Sequence, residues 1–242
     1  MAVIVNADDF GRDAAYNAAI AECFRRGWIN QTTIMVNMPG VEEGIRLARE
    51  IGFFDRIGLH LNLVEGRPLT ESCARSIFCR DGFFDGMKQA AKLFGSYDKA
   101  TESALRDEIR AQIARYVELG FPLLHCDSHA HMHTRIPITK VLMPELKRAG
   151  FKTVRRPYNY RLGWGLKPWL HRVRNAWFLY YARRAGLKMT KWFSAAVPDG
   201  EFMVHPRFRD DGQIMDKRDW VHNSGPLMAE VVEGWRVRGL EV

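Results

Sequence analysis

Short apolar runs alternate with longer segments in which apolar residues recur every three to four positions. The first apolar run covers residues 2–7, and residues 12–26 then follow a helical pattern that ends at Gly27. The same order recurs, with predicted strands at 32–37, 57–63, 123–127 and 153–156 and predicted helices at 41–51, 102–119 and 138–149. Because alternating strands and helices form parallel sheets through right-handed crossovers, the pattern predicts an α/β fold.

Polar residues cluster at the carboxyl ends of the predicted strands. Asp8, Asp9, His60 and the segment 125–133 all lie at or just beyond such an end. In a parallel barrel these ends converge on one mouth, where catalytic groups from distant parts of the chain meet. We therefore expect a single-domain (β/α) barrel over residues 1–242, distorted or incomplete and TIM-like. An open doubly wound sheet is the alternative, but no GxGxxG or Walker loop follows the first strand.

The segment from His125 to His133, HCDSHAHMH, places four of the eight histidines and a carboxylate on alternate positions. In an extended segment all five side chains share one face. Imidazoles beside a carboxylate indicate a metal or acid–base centre, and a solvated polar loop is the alternative. If the segment is extended, at about 3.3 Å per residue, the Cα atoms of His129 and His133 would lie about 13 Å apart, too far for both side chains to bind one ion. One or two histidines would ligate, and the others would orient ligands, contact substrate or move protons.

Asp8 and Asp9 are adjacent, so they cannot both face the same way if the strand stays extended. One carboxylate could ligate a metal while its neighbour handles a proton, and capping of the first helix is the alternative. His60 lies in the apolar run GLHLNL, where a buried core histidine is the usual explanation. Together with the other two clusters, a metal ligand becomes the preferred interpretation of His60.

The net charge of +8 is concentrated in one stretch. Residues 161–193 contain eight Lys or Arg residues, no Asp or Glu, and four of the seven tryptophans. We expect a basic, Trp-rich helical insertion that contacts a membrane, a sugar or the barrel. The remaining charges are balanced, which argues against nucleic-acid binding. The four cysteines show no CxxC spacing, and no secretory signal or bilayer-spanning run is recognisable, so we expect a cytoplasmic protein.

Four blocks of the sequence resemble the YdjC-like carbohydrate deacetylases, a family that includes chitooligosaccharide and hopanoid-biosynthesis deacetylases. The blocks occur in the family's order and read VNADDFG at 5–11, IGLHLNL at 57–63, HCDSHAHMH at 125–133 and EFMVHP at 201–206. The resemblance implies a (β/α) barrel that uses a divalent metal, magnesium or zinc, to remove acetate from an N-acetylated sugar. It also makes a homodimer a reasonable expectation.

The resemblance assigns roles by position. Asp9, His60 and His129 correspond to the metal ligands, and Asp8 corresponds to the general base. His205 is the preferred general acid, and His133 is the second candidate. The residues assigned to substrate binding or to orienting the ligands are Asp127, His131, Arg155 and Arg156.

Other functions remain open at this level. Two histidines and one aspartate could hold Mg, Mn, Zn or Co, and they are also the ligand set of non-haem Fe(II) oxygenases. A metal-dependent phosphoesterase is the nearest enzymatic alternative. A non-catalytic protein that docks on a membrane or a partner through residues 161–193 is the alternative of a different class. The sugar could be an oligosaccharide or could be attached to a lipid or nucleotide carrier.

Overall fold

The computed structural model describes residues 3–86, 95–159, 163–219, 222–237 and 239–240. Its strands are β1 (Ile4–Phe10), β2 (Gln31–Ile34), β3 (Ile57–Leu61), β4 (Cys79–Arg80), β5 (Phe83–Phe84), β6 (His125–Ser128), β7 (Thr153–Val154), β8 (Trp192–Phe193), β9 (Gly200–Val204), β10 (Pro206–Phe208) and β11 (Ile214–Asp216). Its α-helices are α1 (Ala14–Arg25), α2 (Val41–Ile51), α3 (Glu71–Ala74), α4 (Lys99–Glu118), α5 (Ile136–Arg148), α6 (Leu166–Ala185) and α7 (Met228–Arg236). Phe54–Arg56 and His129–Thr134 form 3-10 turns.

Seven strands form one parallel sheet in the order β7-β6-β3-β2-β1-β9-β8. The sheet curls into a half-barrel, and a parallel bridge joins Thr153 of the edge strand β7 to Lys188, which precedes the other edge strand, β8. The prediction of a distorted or incomplete barrel is confirmed. The two short hairpins, β4-β5 and β10-β11, are antiparallel and lie outside this sheet.

The helix boundaries follow local chemistry. Asp13 caps α1 by accepting a hydrogen bond from the Tyr16 amide, and Asp98 caps α4 through the Thr101 amide. Helix α2 ends at Gly52, whose φ of 88° suits glycine. The strand β1 continues to Phe10, three residues beyond the predicted end, because Asp8 and Asp9 are buried with it.

Helix α6 lies within residues 161–193, where a helical insertion was expected. The structure does not confirm an insertion, since α6 occupies the position of the crossover helix between β7 and β8. Phe178 and Ala182 are buried, and Phe178 packs edge-on against His133 at a centroid distance of 5.8 Å. Residues 161 and 162 lie outside the described part of the chain. Among the residues that are described, no helix is both long and apolar enough to cross a bilayer.

Replacement of Phe178 tests the docking of α6. We expect Phe178→Ala to lower the free energy of unfolding by about 3–5 kcal/mol, because the truncated side chain leaves a cavity in the core. Tyr180→Ala is the matched control on the same helix, since Tyr180 is exposed, and it should change stability by about 0.5 kcal/mol or less. Urea denaturation measures both values. Equal losses for the two variants would contradict the placement of α6.

Candidate active site

The end of β1 brings both aspartates into the barrel interior. The pairing of β1 with β2 shifts register between Ala7 and Phe10, and Asp9 adopts a left-handed conformation with φ of 70°. This bulge breaks the alternation of an extended strand, so Asp8 and Asp9 are both buried on the same side. The capping alternative does not hold for this pair, because Asp13 supplies the cap of α1.

Asp9, His60 and His129 form a compact donor set, in which Asp9 and His60 are buried and His129 is partly exposed. Asp9 Oδ1 lies 2.7 Å from His129 Nδ1 and 3.2 Å from His60 Nε2. Asp9 Oδ2 and His60 Nε2 are buried and make no hydrogen bond. Burial opposes the charged form of Asp9, but the hydrogen bond from His129 and the close approach of His60 outweigh it and hold its pKa well below the usual range. The unpartnered atoms make this set a suitable cradle for a cation.

Asp127 fixes the orientation of His60. Its Oδ1 lies 2.6 Å from His60 Nδ1, and its Oδ2 accepts a hydrogen bond of 3.0 Å from the Thr33 hydroxyl. With Nδ1 turned to Asp127, Nε2 is the atom directed at Asp9. Burial disfavours a charged ring, but Asp127, Asp9 and Asp8 together raise the pKa of His60 to about 10. The surroundings of His60 therefore favour positive charge. A carboxylate behind the distal nitrogen is also the usual support of a metal-binding histidine.

Arg155 lies in the centre of the half-barrel with no exposed surface. Its Nη1 and Nη2 each donate to Asp8 at 2.7 Å, and Nη2 also lies 2.7 Å from Asp127 Oδ2. Its Nε donates to Glu201 in β9. These three carboxylates outweigh the effect of burial and raise the pKa of Arg155 well above its ordinary value. Arg155 therefore holds the Asp8 carboxylate in one orientation.

The histidine segment is extended only over His125–Ser128, so the expectation of five side chains on one face is wrong beyond β6. Ala130 and His131 have φ values of 50° and 53°, which turn the chain sharply. His133 is fully buried, with Nδ1 2.6 Å from the Ser128 hydroxyl and Nε2 3.2 Å from the Arg155 carbonyl. His125 Nδ1 instead lies 2.9 Å from the Thr153 hydroxyl at the start of the strands. The histidines of this segment therefore contact different parts of the protein interior.

A cavity of about 390 Å³ opens above this cluster, with Asp8 and His129 in its wall. His205 follows β9 and lines the same cavity, and its backbone amide donates to Asp216. His131 also lines it, and burial together with the nearby Arg155 charge lowers the pKa of His131 to about 4. The structure therefore brings Asp8, Asp9, His60, His129, His131 and His205 to one end of the barrel.

Arg156 does not join this cluster. Its Nη1 donates to the Thr190 carbonyl, and it lines a separate cavity on the outer surface. The neighbouring Arg155 points inward, so the two arginines serve different faces of the protein. Alternation of side chains at the end of β7 gives this result, although the sequence does not show which arginine is inside.

Several supporting residues were not predicted from the sequence. Glu201 pairs with Arg155, and Asn6 donates to Asp8 at 2.8 Å. Glu65 lies 3.6 Å from His129 Nε2 and pairs with Arg12 at 2.6 Å. Glu201 begins the EFMVHP block, which was the one available signal for it. Glu65 lies in a loop that Asn62 folds by accepting from the amides of residues 64 and 65.

The curled parallel sheet with buried carboxylates and imidazoles at its carboxyl ends defines an α/β half-barrel domain with a candidate metal centre. The chain belongs to the YdjC-like family, whose model, described as YdjC-like protein, matches residues 2–223. The family expected from the four sequence blocks is thereby confirmed.

Several curated relatives carry the name carbohydrate deacetylase. The protein from Brevibacillus brevis is 34% identical over 143 residues, 59% of this chain and 54% of that protein. The protein from Clostridium beijerinckii is 36% identical, with coverage of 55% and 51%, and that from Danio rerio is 32% identical, with coverage of 64% and 49%. The chain thus matches about half the length of these relatives.

A solved structure shows the same fold over nearly the whole chain. It is that of a proposed cellobiose-phosphate cleavage protein from Enterococcus faecalis, with a TM-score of 0.69 and 19% sequence identity. The alignment covers 99% of this chain and 95% of that one. The half-barrel is therefore a fold that this chain shares with an experimentally determined structure.

Removal of the Arg155 charge tests its central position. We expect Arg155→Met to lower the free energy of unfolding by about 3–5 kcal/mol, because Asp8, Asp127 and Glu201 would remain buried without their cation. The control is Arg75→Met, which removes an exposed arginine paired with Glu71 and should cost about 0.5 kcal/mol or less. Urea denaturation at neutral pH measures both. A loss as small as that of the control would show that the network is not stabilising.

Proposed function

We propose that this protein is a metal-dependent carbohydrate N-deacetylase, which hydrolyses the acetamide of an N-acetylated sugar and releases acetate. The observation that carries the proposal is the Asp9, His60 and His129 donor set beside a second buried carboxylate, Asp8, below one cavity. Membership of the YdjC-like family and the name of the curated relatives support the same reaction.

Hydrolysis of an acetamide makes three chemical demands. The site must activate a water molecule, stabilise the negative charge that develops on the acetyl oxygen, and protonate the departing amine. A single acid–base residue does not meet all three. The cluster described above offers a cation cradle, a carboxylate and a histidine in one cavity, which matches the three demands.

A divalent metal held by Asp9, His60 and His129 would supply the Lewis acidity that polarises the acetyl oxygen and acidifies an attacking water. Asp9 Oδ2 and His60 Nε2, which are buried and make no hydrogen bond, support this assignment. Two imidazole nitrogens among three donors favour zinc or a neighbouring transition metal over magnesium, because magnesium prefers oxygen ligands.

Asp8 is the proposed general base. It lines the cavity, and its two oxygens are held by the Arg155 guanidinium and the Asn6 amide. Because each carboxylate oxygen can accept about two hydrogen bonds, Asp8 retains acceptor capacity for a water proton. The fixed orientation lowers the cost of placing the base at the reacting water.

His205 is the proposed general acid. It lines the cavity at the end of β9, a neighbour of β1 in the sheet, so it shares the cavity wall with Asp8. Both ring nitrogens of His133, the second candidate, already lie within hydrogen-bond distance of Ser128 and Arg155. A proton from His205 would convert the sugar nitrogen into a good leaving amine.

The proposed substrate is an acetamido sugar, either an oligosaccharide or a sugar attached to a lipid or nucleotide carrier. An acetate-release screen over N-acetylglucosamine oligomers and carrier-linked sugars distinguishes these sources. Release of phosphate without acetate from phosphorylated sugars would instead assign the site to a phosphoesterase.

The variant Asp8→Asn tests the base. It should fold and retain metal, because the amide keeps the size of the side chain and the three metal donors are unchanged. Acetate release should fall by about 10²- to 10⁴-fold, since Asn cannot accept the water proton. The matched control is Asp13→Asn, the same change on an aspartate outside the cluster, where Asn still caps α1. Full activity of Asp8→Asn would remove the base assignment.

Loss of one ligand tests the metal centre. We expect His60→Gln to lose bound metal, measured as metal per protein by elemental analysis, and to lose acetate release. The exposed His222, which pairs with Asp219, provides the control His222→Gln, and this variant should keep both properties. Chelation of the wild type should likewise abolish acetate release, and zinc should restore it. Retention of metal by His60→Gln would show that the donor set is wrong.

A further inference from the structure

The solvent-facing side of α6 carries a stripe of large apolar side chains. Leu166, Trp169, Trp177 and Tyr180 are between 45% and 74% exposed, and Trp164, just before the helix, is 96% exposed. Their spacing of three, eight and three residues places them on one side of the helix. Phe178 and Ala182 lie on the opposite, buried side. The stripe is therefore separate from the face that packs on the barrel.

The sequence around this stripe is strongly basic. The sequence from 157 to 198 contains eight Lys or Arg residues and no Asp or Glu. Arg172 lies over the Trp164 ring at 5.7 Å from its centroid, and Arg184 lies over the Tyr180 ring at 5.6 Å. Aromatic rings interleaved with basic side chains suit the boundary between water and lipid, where the rings lie at the headgroup level and the cations meet anionic headgroups.

A cavity of about 470 Å³ lies beside the stripe, between α6 and the segment that follows β7. Its wall includes Arg156 and Arg172, together with the amides of Asn159 and Asn175. Each of these four side chains donates one hydrogen bond to a backbone carbonyl, and the guanidinium groups, which carry five N–H donors each, suit a phosphate oxygen. The cavity thus extends the basic surface inward with groups that could receive the phosphate of a lipid headgroup.

We propose that the outer face of α6, defined by Trp164, Leu166, Trp169, Trp177 and Tyr180 with its basic rim, docks on the surface of a bilayer that contains anionic phospholipid. A second copy of this chain is a poorer occupant. A symmetric contact through the same face would oppose the two sets of cations with no acid between residues 157 and 198 to pair with them. This proposal does not depend on the deacetylase reaction.

The position of this face in the fold determines which end of the barrel would approach the bilayer. Residues 155–165 follow the carboxyl end of β7, and the catalytic cluster lies at the carboxyl ends of β1, β3 and β6 in the same parallel sheet. The amino end of α6 therefore lies at the end of the barrel that carries the cavity with Asp8. Docking through Trp164 and Trp169 would bring that end of the barrel towards the bilayer.

Vesicle sedimentation with the full chain tests the proposal. We expect binding to vesicles of equal parts phosphatidylcholine and phosphatidylglycerol, no binding to phosphatidylcholine alone, and weaker binding at high salt. Trp169→Ser combined with Trp177→Ser should weaken binding by about tenfold, because interfacial aromatic contacts are lost. Arg172→Glu combined with Arg183→Glu should weaken it by at least about tenfold, because each cation near an anionic surface contributes to attraction.

The matched control is Arg46→Glu combined with Arg75→Glu, which reverses two exposed arginines away from α6 and should leave most of the binding intact. Thermal melts check that all variants fold. Equal binding to neutral vesicles, or an unchanged affinity of both α6 variants, would overturn the proposal. Binding to an acidic polypeptide such as polyglutamate without binding to anionic vesicles would assign the face to a protein partner instead. Acetate release from a soluble substrate should be unchanged in the α6 variants, so failure of docking is distinguishable from failure of the deacetylase proposal.

Discussion

The rest of the site depends on the burial of one guanidinium among three carboxylates. Arg155 follows β7 and contacts Asp8 of β1, Asp127 of β6 and Glu201 of β9. Four strands that are distant in sequence are thus joined through one side chain. Burial of an ion costs free energy. The ion pairs between Arg155 and these three carboxylates offset that cost, so charged side chains can occupy an interior that branched apolar side chains usually fill. Asp8 in turn lines the cavity. Asp127 orients His60.

The network is not electrically balanced. Asp8, Asp9, Asp127 and Glu201 are all buried, and Arg155 is the guanidinium enclosed among them. The excess of negative charge shows at His60, whose pKa rises although burial alone would lower it. The same negative charge would favour a metal ion at the set formed by Asp9, His60 and His129, whose donor atoms lie within 4.8 Å of one another. The raised pKa of His60 and the suitability of this donor set for a cation therefore have one electrostatic origin.

Sequence patterns predicted the convergence of the site better than its details. Apolar alternation located the strand ends, and parallel topology then required Asp8, Asp9, His60 and the histidine segment to meet. The local turns were not visible, because Asp9, Ala130 and His131 adopt left-handed conformations that non-glycine residues rarely show. These turns decide that both aspartates face inward and that His133 leaves the cavity. Glu201 was missed because a carboxylate has no distinguishing spacing until the fold places it beside Arg155.

The composition of residues 161–193 and the position of α6 in the fold reflect different faces of this helix. Its unusual charge and tryptophan content suggested an addition to the scaffold, yet its buried face performs the ordinary work of a crossover helix between β7 and β8. The unusual residues are confined to the other face, where barrel packing does not require them. The net charge of +8 therefore hides two opposite fields, a negative interior at the strand ends and a positive surface on α6. The acetamide of the proposed substrate is neutral and gains little from either field at long range. The positive surface instead suits the proposed anionic bilayer, and the negative interior suits the proposed metal ion.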